Sequence, residues 1–275
     1  MGQGDGPGWH AWGVANLYLS EELGMPGIGD VVTVEGAEAR HAVTVNRLAI
    51  GESVSVGNGA GVIASGAVTQ ASSGSFAFAV DAVEIHERAA PGIWLVQALA
   101  KGDRDELAVQ AATELGVDGV IPWSAARSVS RWEGAKVTKG QERWRAIVRE
   151  AAKQSARAWI PEVGPLATTR QLAALARDAH VIVLDPQAFG TQTPGGQTPG
   201  TQRQQPSTLT GVDIATTDTR DLVLVVGPEG GIAPNELELM YEAGATGARL
   251  GDNILRTSTA GPAAIAVLSA KLGRW

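Results

Sequence analysis

The spacing of apolar and polar residues changes character near residue 90. Before that point the period is two. GESVSVGNGAGVIASGAV (51–68) forms two alternating runs around Asn58-Gly59, residues that tolerate the positive φ of a tight hairpin turn, and SFAFAVDAVEI (75–85) alternates again. EARHAVTVNRL (38–48) predicts a short helix carrying Arg40, His41 and Arg47. Residues 16–88 thus read as a compact β-barrel module, residues 1–15 as a mobile tail and Arg88–Pro91 as a linker. Beyond it, GIWLVQALA (92–100) is a continuous apolar run, as suits a strand covered on both faces. A helix over 103–116 follows, with Gly116 at its C-cap, then a strand at GVIPWS, a helix over 140–158, strands at 180–185 and 222–226, and a last helix over 259–272. Strands alternating with helices predict an α/β domain with a parallel sheet over 91–275. Residues 187–219, rich in Gln, Thr, Pro and Gly, read as a disordered insertion.

Composition narrows the chemistry. The chain has no cysteine, which excludes disulfides, thiolate metal sites and covalent thiol catalysis, and its four histidines are scattered, so no metal site is expected. No apolar run is long enough to span a membrane, and the N-terminus lacks the charged and apolar regions of a signal peptide, so the cytoplasm is the expected location. The formal charge of −7 hides an asymmetry: Arg127 to Arg157 holds nine Lys/Arg against three Glu, +6 in one segment and −13 in the remainder. Such a basic face suits a polyanion. In the helix over 140–158, Arg145, Arg149, Lys153 and Arg157 recur every four residues, opposite an apolar face of Trp144, Ile147, Val148, Ala151, Ala152 and Ser155. Like charges at that spacing repel; the stripe is a polyanion contact or a solvated face.

Two strings point to a site. In VLVVGPEGGIAPNELELM (223–240) a strand stops at Gly227-Pro228-Glu229-Gly230-Gly231 and a helix begins at once. Glycines at the carboxyl end of a strand leave backbone bare for a flat ligand; a plain strand-to-helix turn needs glycine too. In ARLGDNILRTSTAGPAAIAVLSA (248–270), Arg256 precedes a helix N-terminus, where positive potential gathers, and suits an anionic or carbonyl-bearing ligand or a surface ion pair. No dinucleotide or P-loop fingerprint is present. In the helix over 103–116 the predicted apolar stripe is Leu107, Ala108, Ala111, Ala112 and Leu115, which sets Arg104 on the stripe's centre with Lys101 beside it.

Together with LAKGDRDELAVQAATELGVDGVIP (99–122) and REAAKQSAR (149–157), the pattern GPEGGI…E…LG…ILRTSTA resembles the RsmE family over roughly residues 16–275 outside the insertion. The resemblance implies a SPOUT-superfamily, S-adenosylmethionine-dependent methyltransferase acting on N3 of one uridine in the decoding region of 16S ribosomal RNA. It implies a PUA-like RNA-binding barrel followed by a trefoil-knotted α/β domain that pairs as a homodimer. Its cofactor loops map to Leu184-Asp185, to Gly227, Pro228, Glu229, Gly230 and Gly231, and to Leu250, Gly251, Asn253, Ile254 and Leu255. Arg256, Glu229 and Arg104 become the catalytic candidates: Glu229 orients the base, takes its proton or anchors its own loop, and Arg256 meets uracil oxygens or a phosphate. Arg47, Lys101, Arg145, Arg149, Lys153, Gln154 and Arg157 become the RNA contacts. The chain departs from the family's pattern at Ser258, where a glutamate is usual, and before Leu17-Tyr18, where an arginine is usual. Ribose 2′-O-methylation of RNA and RNA binding without catalysis are the rival readings.

Overall fold

The computed structural model describes residues 17–186, 208–214 and 218–275. The tail read at 1–15 and most of the insertion lie outside the described residues. The chain divides into two compact units, one formed by residues up to Glu87 with Lys153–Trp159, the other by Arg88–Ala152 with Ile160–Trp275.

The first unit is a five-stranded sheet of order β1-β3-β4-β5-β2, built from β1 (Leu17–Leu19), β2 (Val31–Glu35), β3 (Ser53–Gly57), β4 (Val62–Ser72) and β5 (Ser75–Ile85). Period-two alternation turns Val54, Val56, Val62, Ala64, Phe76, Phe78 and Val80 into one core, with Tyr18 packed on Phe76. A helix α1 (Gly36–Arg40) runs into a π-helical turn, His41–Val45. The turn at Asn58-Gly59 is wider than a two-residue hairpin. Asn58 Oδ1 accepts from the N–H groups of Ala60 and Val62, and Gly59 and Gly61 both take positive φ. Gly61 also leaves room for Trp159, whose indole N–H donates to the His86 carbonyl at 2.8 Å.

The second unit is a six-stranded parallel sheet of order β11-β9-β10-β6-β7-β8. Its strands are β6 (Ile93–Ala98), β7 (Gly119–Trp123), β8 (Glu162–Val163), β9 (His180–Leu184), β10 (Leu222–Val226) and β11 (Thr246–Ala248). Both faces of β6, β7, β9 and β10 are covered, which is why these four read as largely apolar runs. Leu222, Leu224, Val226 and Ile182 face α2 (Arg104–Glu114), α3 (Ala135–Gln154) and α6 (Thr257–Lys271). Val223, Val225, Val181 and Val183 face α4 (Thr169–Leu175) and α5 (Pro234–Glu242).

Four expectations are corrected here. The buried face of α2 is Asp105, Ala108, Val109, Ala112 and Thr113, while Leu107 is 56% exposed. The helix presents its small residues to α6 and β6, which rotates Arg104 out of the core face and into solvent. α3 ends at Gln154, with Ala156 at positive φ, so Arg157 is not on the helical stripe. Residues 208–214 are not a loose insertion: Leu209 is buried in the core with Val212 and Ile214 packed against it, and Thr208 bridges to Arg249. Lys153–Trp159, read as part of the C-terminal domain, belongs to the first unit.

One glycine makes room for a tryptophan on the neighbouring strand. Gly119 pairs with Trp94, and a Cβ on it would stand 2.3 Å from the Trp94 ring. The ring has nowhere to go because its N–H donates to Asp221 at 3.0 Å. Gly119→Ala is expected to destabilise the fold by about 1–3 kcal/mol, as overpacked cores do; urea unfolding measures it.

Candidate active site

Because the six strands are parallel, the carboxyl ends of β9, β10 and β11 lie along one edge, where open α/β sheets bind ligands. The loops leaving them enclose a cavity of about 990 Å³. Every position read as a cofactor contact lines it: Leu184 with Asp185, residues 227–231, Leu250, Gly251 and Asn253–Leu255. Arg104 and Arg256 line it too, with Ile232, Leu237 and Ala260 adding apolar wall.

The loops are held by buried polar groups. Gln97, wholly buried at the end of β6, donates from Nε2 to Thr257 Oγ1 at 2.9 Å, and that hydroxyl donates to the Gly227 carbonyl at 2.8 Å. Gly227 itself is demanded by packing, since a Cβ there would lie 2.6 Å from Ile232 Cγ1. Gly231 takes φ 70° and closes a turn onto the Pro228 carbonyl. Arg127 donates to the Gly230 carbonyl at 3.1 Å and to that of Ile232 at 3.4 Å. In the sequence Arg127 stands out only as part of a basic segment. Glu236, 5% exposed, accepts from Thr169 Oγ1 at 2.7 Å, from Ala126 N–H at 3.0 Å and from Ala233 N–H at 3.2 Å. It ties the first turn of α5 to α4 and to the loop after β7. Its place in the GPEGGI…E pattern was visible, but its three partners were not.

Two of the catalytic candidates hold one another. Glu229 Oε1 accepts from Arg104 Nη1 at 2.8 Å and from the Lys101 N–H at 3.2 Å. Burial alone would raise the Glu229 carboxyl. Hydrogen bonds from its own N–H, from Arg104 and from Lys101 outweigh that and hold it below the usual range. A carboxylate kept ionised and paired is an anchor and a poor proton acceptor. Arg256 stands at the N-cap of α6, exposed, with no side-chain hydrogen bond or ion pair among the described residues. Behind Asp185, which lines the cavity, burial and then the Asp185 carboxylate push the Tyr241 hydroxyl up to about 12, so it stays a donor to Asp185.

Comparison with known proteins places this geometry. A family model for an RNA methyltransferase domain matches residues 87–269, and one for an RNA methyltransferase PUA domain matches residues 34–81. The ribosomal RNA small subunit methyltransferase E of Mycobacterium bovis is 41% identical over 267 residues, 95% of this chain and 94% of the relative. The chain belongs to the ribosomal RNA small subunit methyltransferase E family. The Bacillus subtilis member is 33% identical over 177 residues, 64% of this chain and 65% of the relative. Among solved structures, the Neisseria gonorrhoeae member bound to S-adenosyl methionine superposes with a TM-score of 0.75 at 25% identity, covering 94% of this chain and 98% of that one. A Legionella pneumophila methyltransferase in complex with the same cofactor gives 0.72 at 25% identity, covering 94% and 98%.

The residues read as RNA contacts differ in exposure and in their partners. Arg145 is exposed on α3 and Arg149 is half-buried. The Lys153 ammonium is mostly buried and pairs with Glu38 at 3.1 Å, within the first unit. Gln154 is exposed at the end of α3 and Arg157 is half-buried beyond it. Arg47 is exposed and takes φ 56° after the π-helical turn. Lys101, itself exposed, lends its backbone to Glu229. Ser258 is half-buried in the first turn of α6.

Glu236→Ala is expected to lower stability by about 3 kcal/mol, because it leaves two backbone N–H groups and a hydroxyl without their acceptor. Equilibrium unfolding in urea reads this directly, and an unchanged midpoint would remove Glu236 from the account.

Proposed function

We propose that the protein transfers a methyl group from S-adenosylmethionine to N3 of one uridine in 16S ribosomal RNA. The observation that carries this reading is the meeting of three separate loops, at residues 184–186, 226–232 and 250–257, around one cavity. The residues fit the cofactor. Leu184, Ile232, Leu237, Leu250 and Leu255 offer apolar surface for an adenine ring, and residues 227–231 offer bare backbone N–H and C=O for its polar edge. Asp185, steadied by Tyr241, is placed to accept from a hydroxyl. Bound there, S-adenosylmethionine supplies an electrophilic methyl on sulfur.

The protein's part is orientation and charge. Uracil N3 must lose its imide proton, and negative charge then spreads to O2 and O4. Arg256, unengaged within the described chain and next to the helix N-terminus, meets that charge. Glu229 keeps the loop in shape through Arg104 and Lys101 and leaves the proton to another acceptor. The first unit serves as the PUA-type RNA-binding module, with Arg47, and Arg145 and Arg149 on α3 contact phosphates. The 91–275 domain carries the family's trefoil knot, the protein works as a homodimer, and its place is the cytoplasm with the ribosomal subunit. No described helix is long and apolar enough to cross a membrane.

Mass spectrometry of 16S rRNA nucleosides from cells lacking the protein is expected to show the loss of 3-methyluridine, restored by the wild-type gene. An unchanged level, or loss of a ribose-methylated nucleoside instead, contradicts the proposal. Arg256→Ala is expected to slow single-turnover methyl transfer about 100-fold with near-normal RNA affinity. For Glu229→Gln we expect weaker cofactor binding but the wild-type shape of the pH–rate profile in the neutral range, because the carboxyl is depressed and already ionised there. Loss of the acidic limb, where the rate rises as a carboxyl ionises, would return Glu229 to the role of base.

A further inference from the structure

A second cavity, of about 380 Å³, opens between the start of α2 and α3. Its lining includes Asp105, Glu106, Trp132, Gly140, Arg143 and Trp144. Trp144 is 1% exposed, and its indole N–H has no acceptor among the described residues. A buried donor without a partner costs about 1–3 kcal/mol, so a native chain keeps one where something else supplies the acceptor. Trp132 meets Trp144 edge-on, with ring centroids 5.5 Å apart at 77°. It lies against the backbone of α3 because residue 140 is glycine; a Cβ there would stand 2.4 Å from Trp132 Cε2. One wall of the cavity is therefore a fixed aromatic surface.

The polar groups define the ligand. Arg143 spends two N–H groups on Glu106 Oε2, at 3.1 and 2.9 Å, so its charge is neutralised within the wall. Asp105, 5% exposed, adds a second carboxylate. With Asp103 and Lys101 also on the lining, three carboxylates stand against two cations, a balance that repels phosphate. It suits a flat, neutral group that offers an acceptor to the Trp144 N–H and donors to the carboxylates, which is what the edge of a nucleobase offers. The two cavities share no lining residue, yet they adjoin: Lys101 lines the smaller one, and its N–H holds Glu229, which lines the larger.

We propose that the smaller cavity takes one unstacked base of the substrate RNA, a neighbour of the methyl acceptor, packed against Trp132 and hydrogen-bonded by the Trp144 indole N–H. The proposal rests on the RNA methyl transfer proposed above. Trp144→Phe removes the N–H and keeps an aromatic ring; Trp132→Leu removes the aromatic wall. Each is expected to raise the half-saturating RNA concentration in single-turnover methyl transfer about fivefold or more, with S-adenosylmethionine affinity unchanged. Wild-type half-saturation in both variants overturns the subsite. If the wild-type protein transfers no methyl to 16S rRNA, the activity itself falls, and the subsite with it, before any variant is compared. A readout that a merely structural role would not move comes from ¹⁵N-labelled wild type. The indole resonance missing from Trp144→Phe is expected to shift on adding the 16S rRNA fragment that carries the acceptor uridine, and a resonance that stays in place overturns the proposal.

Discussion

The Thr257 hydroxyl is the joint on which the cavity depends. It accepts a hydrogen bond from buried Gln97 and donates one to the Gly227 carbonyl, so a central strand, the N-terminus of α6 and the loop after β10 meet at one oxygen. In a dry interior such a chain is strong when complete and damaging when broken. It fixes where β10 releases its backbone. It also fixes where α6 begins, and so where Arg256 stands.

Around that joint the arginines divide their duties by partner. Arg104 is committed to Glu229 and Arg127 to the carbonyls of Gly230 and Ile232. Arg249 pairs with Asp252 at 3.1 Å. Arg256 alone among these four has no side-chain partner within the described chain. In the methyl transfer proposed above, Arg256 is the cation left to meet charge that forms during the reaction, whereas the other three are engaged within the walls. In the proposed reaction Glu229, an acid among glycines, acts as a tether through its hydrogen bonds with Arg104 and Lys101.

Much of this was legible in the chain. Strands covered on both faces must be apolar throughout, so β6, β7, β9 and β10 stood out as runs. The glycine loops stood out because a bare backbone at a strand end has few structural uses. What could not be read was set by tertiary partners. Arg104 was assigned to a core face because Leu107 weighs more in a hydrophobic stripe than the alanines do, but α2 packs through its small residues. Leu209 belongs to the core although its neighbours in sequence are polar. β8 and β11, of two and three residues, are too short to carry a period. The cavity beside Trp132 and Trp144 brings together α2 and α3, which no local pattern relates.

Hydrogen–deuterium exchange of the protein with and without S-adenosylmethionine tests the central claim most directly. Slowed exchange is expected in the three loops together, residues 184–186, 226–232 and 250–257, and at the N-terminus of α6, with the first unit unchanged. Protection confined to one loop, or found elsewhere in the chain, would contradict the convergence of these loops on a single cofactor site.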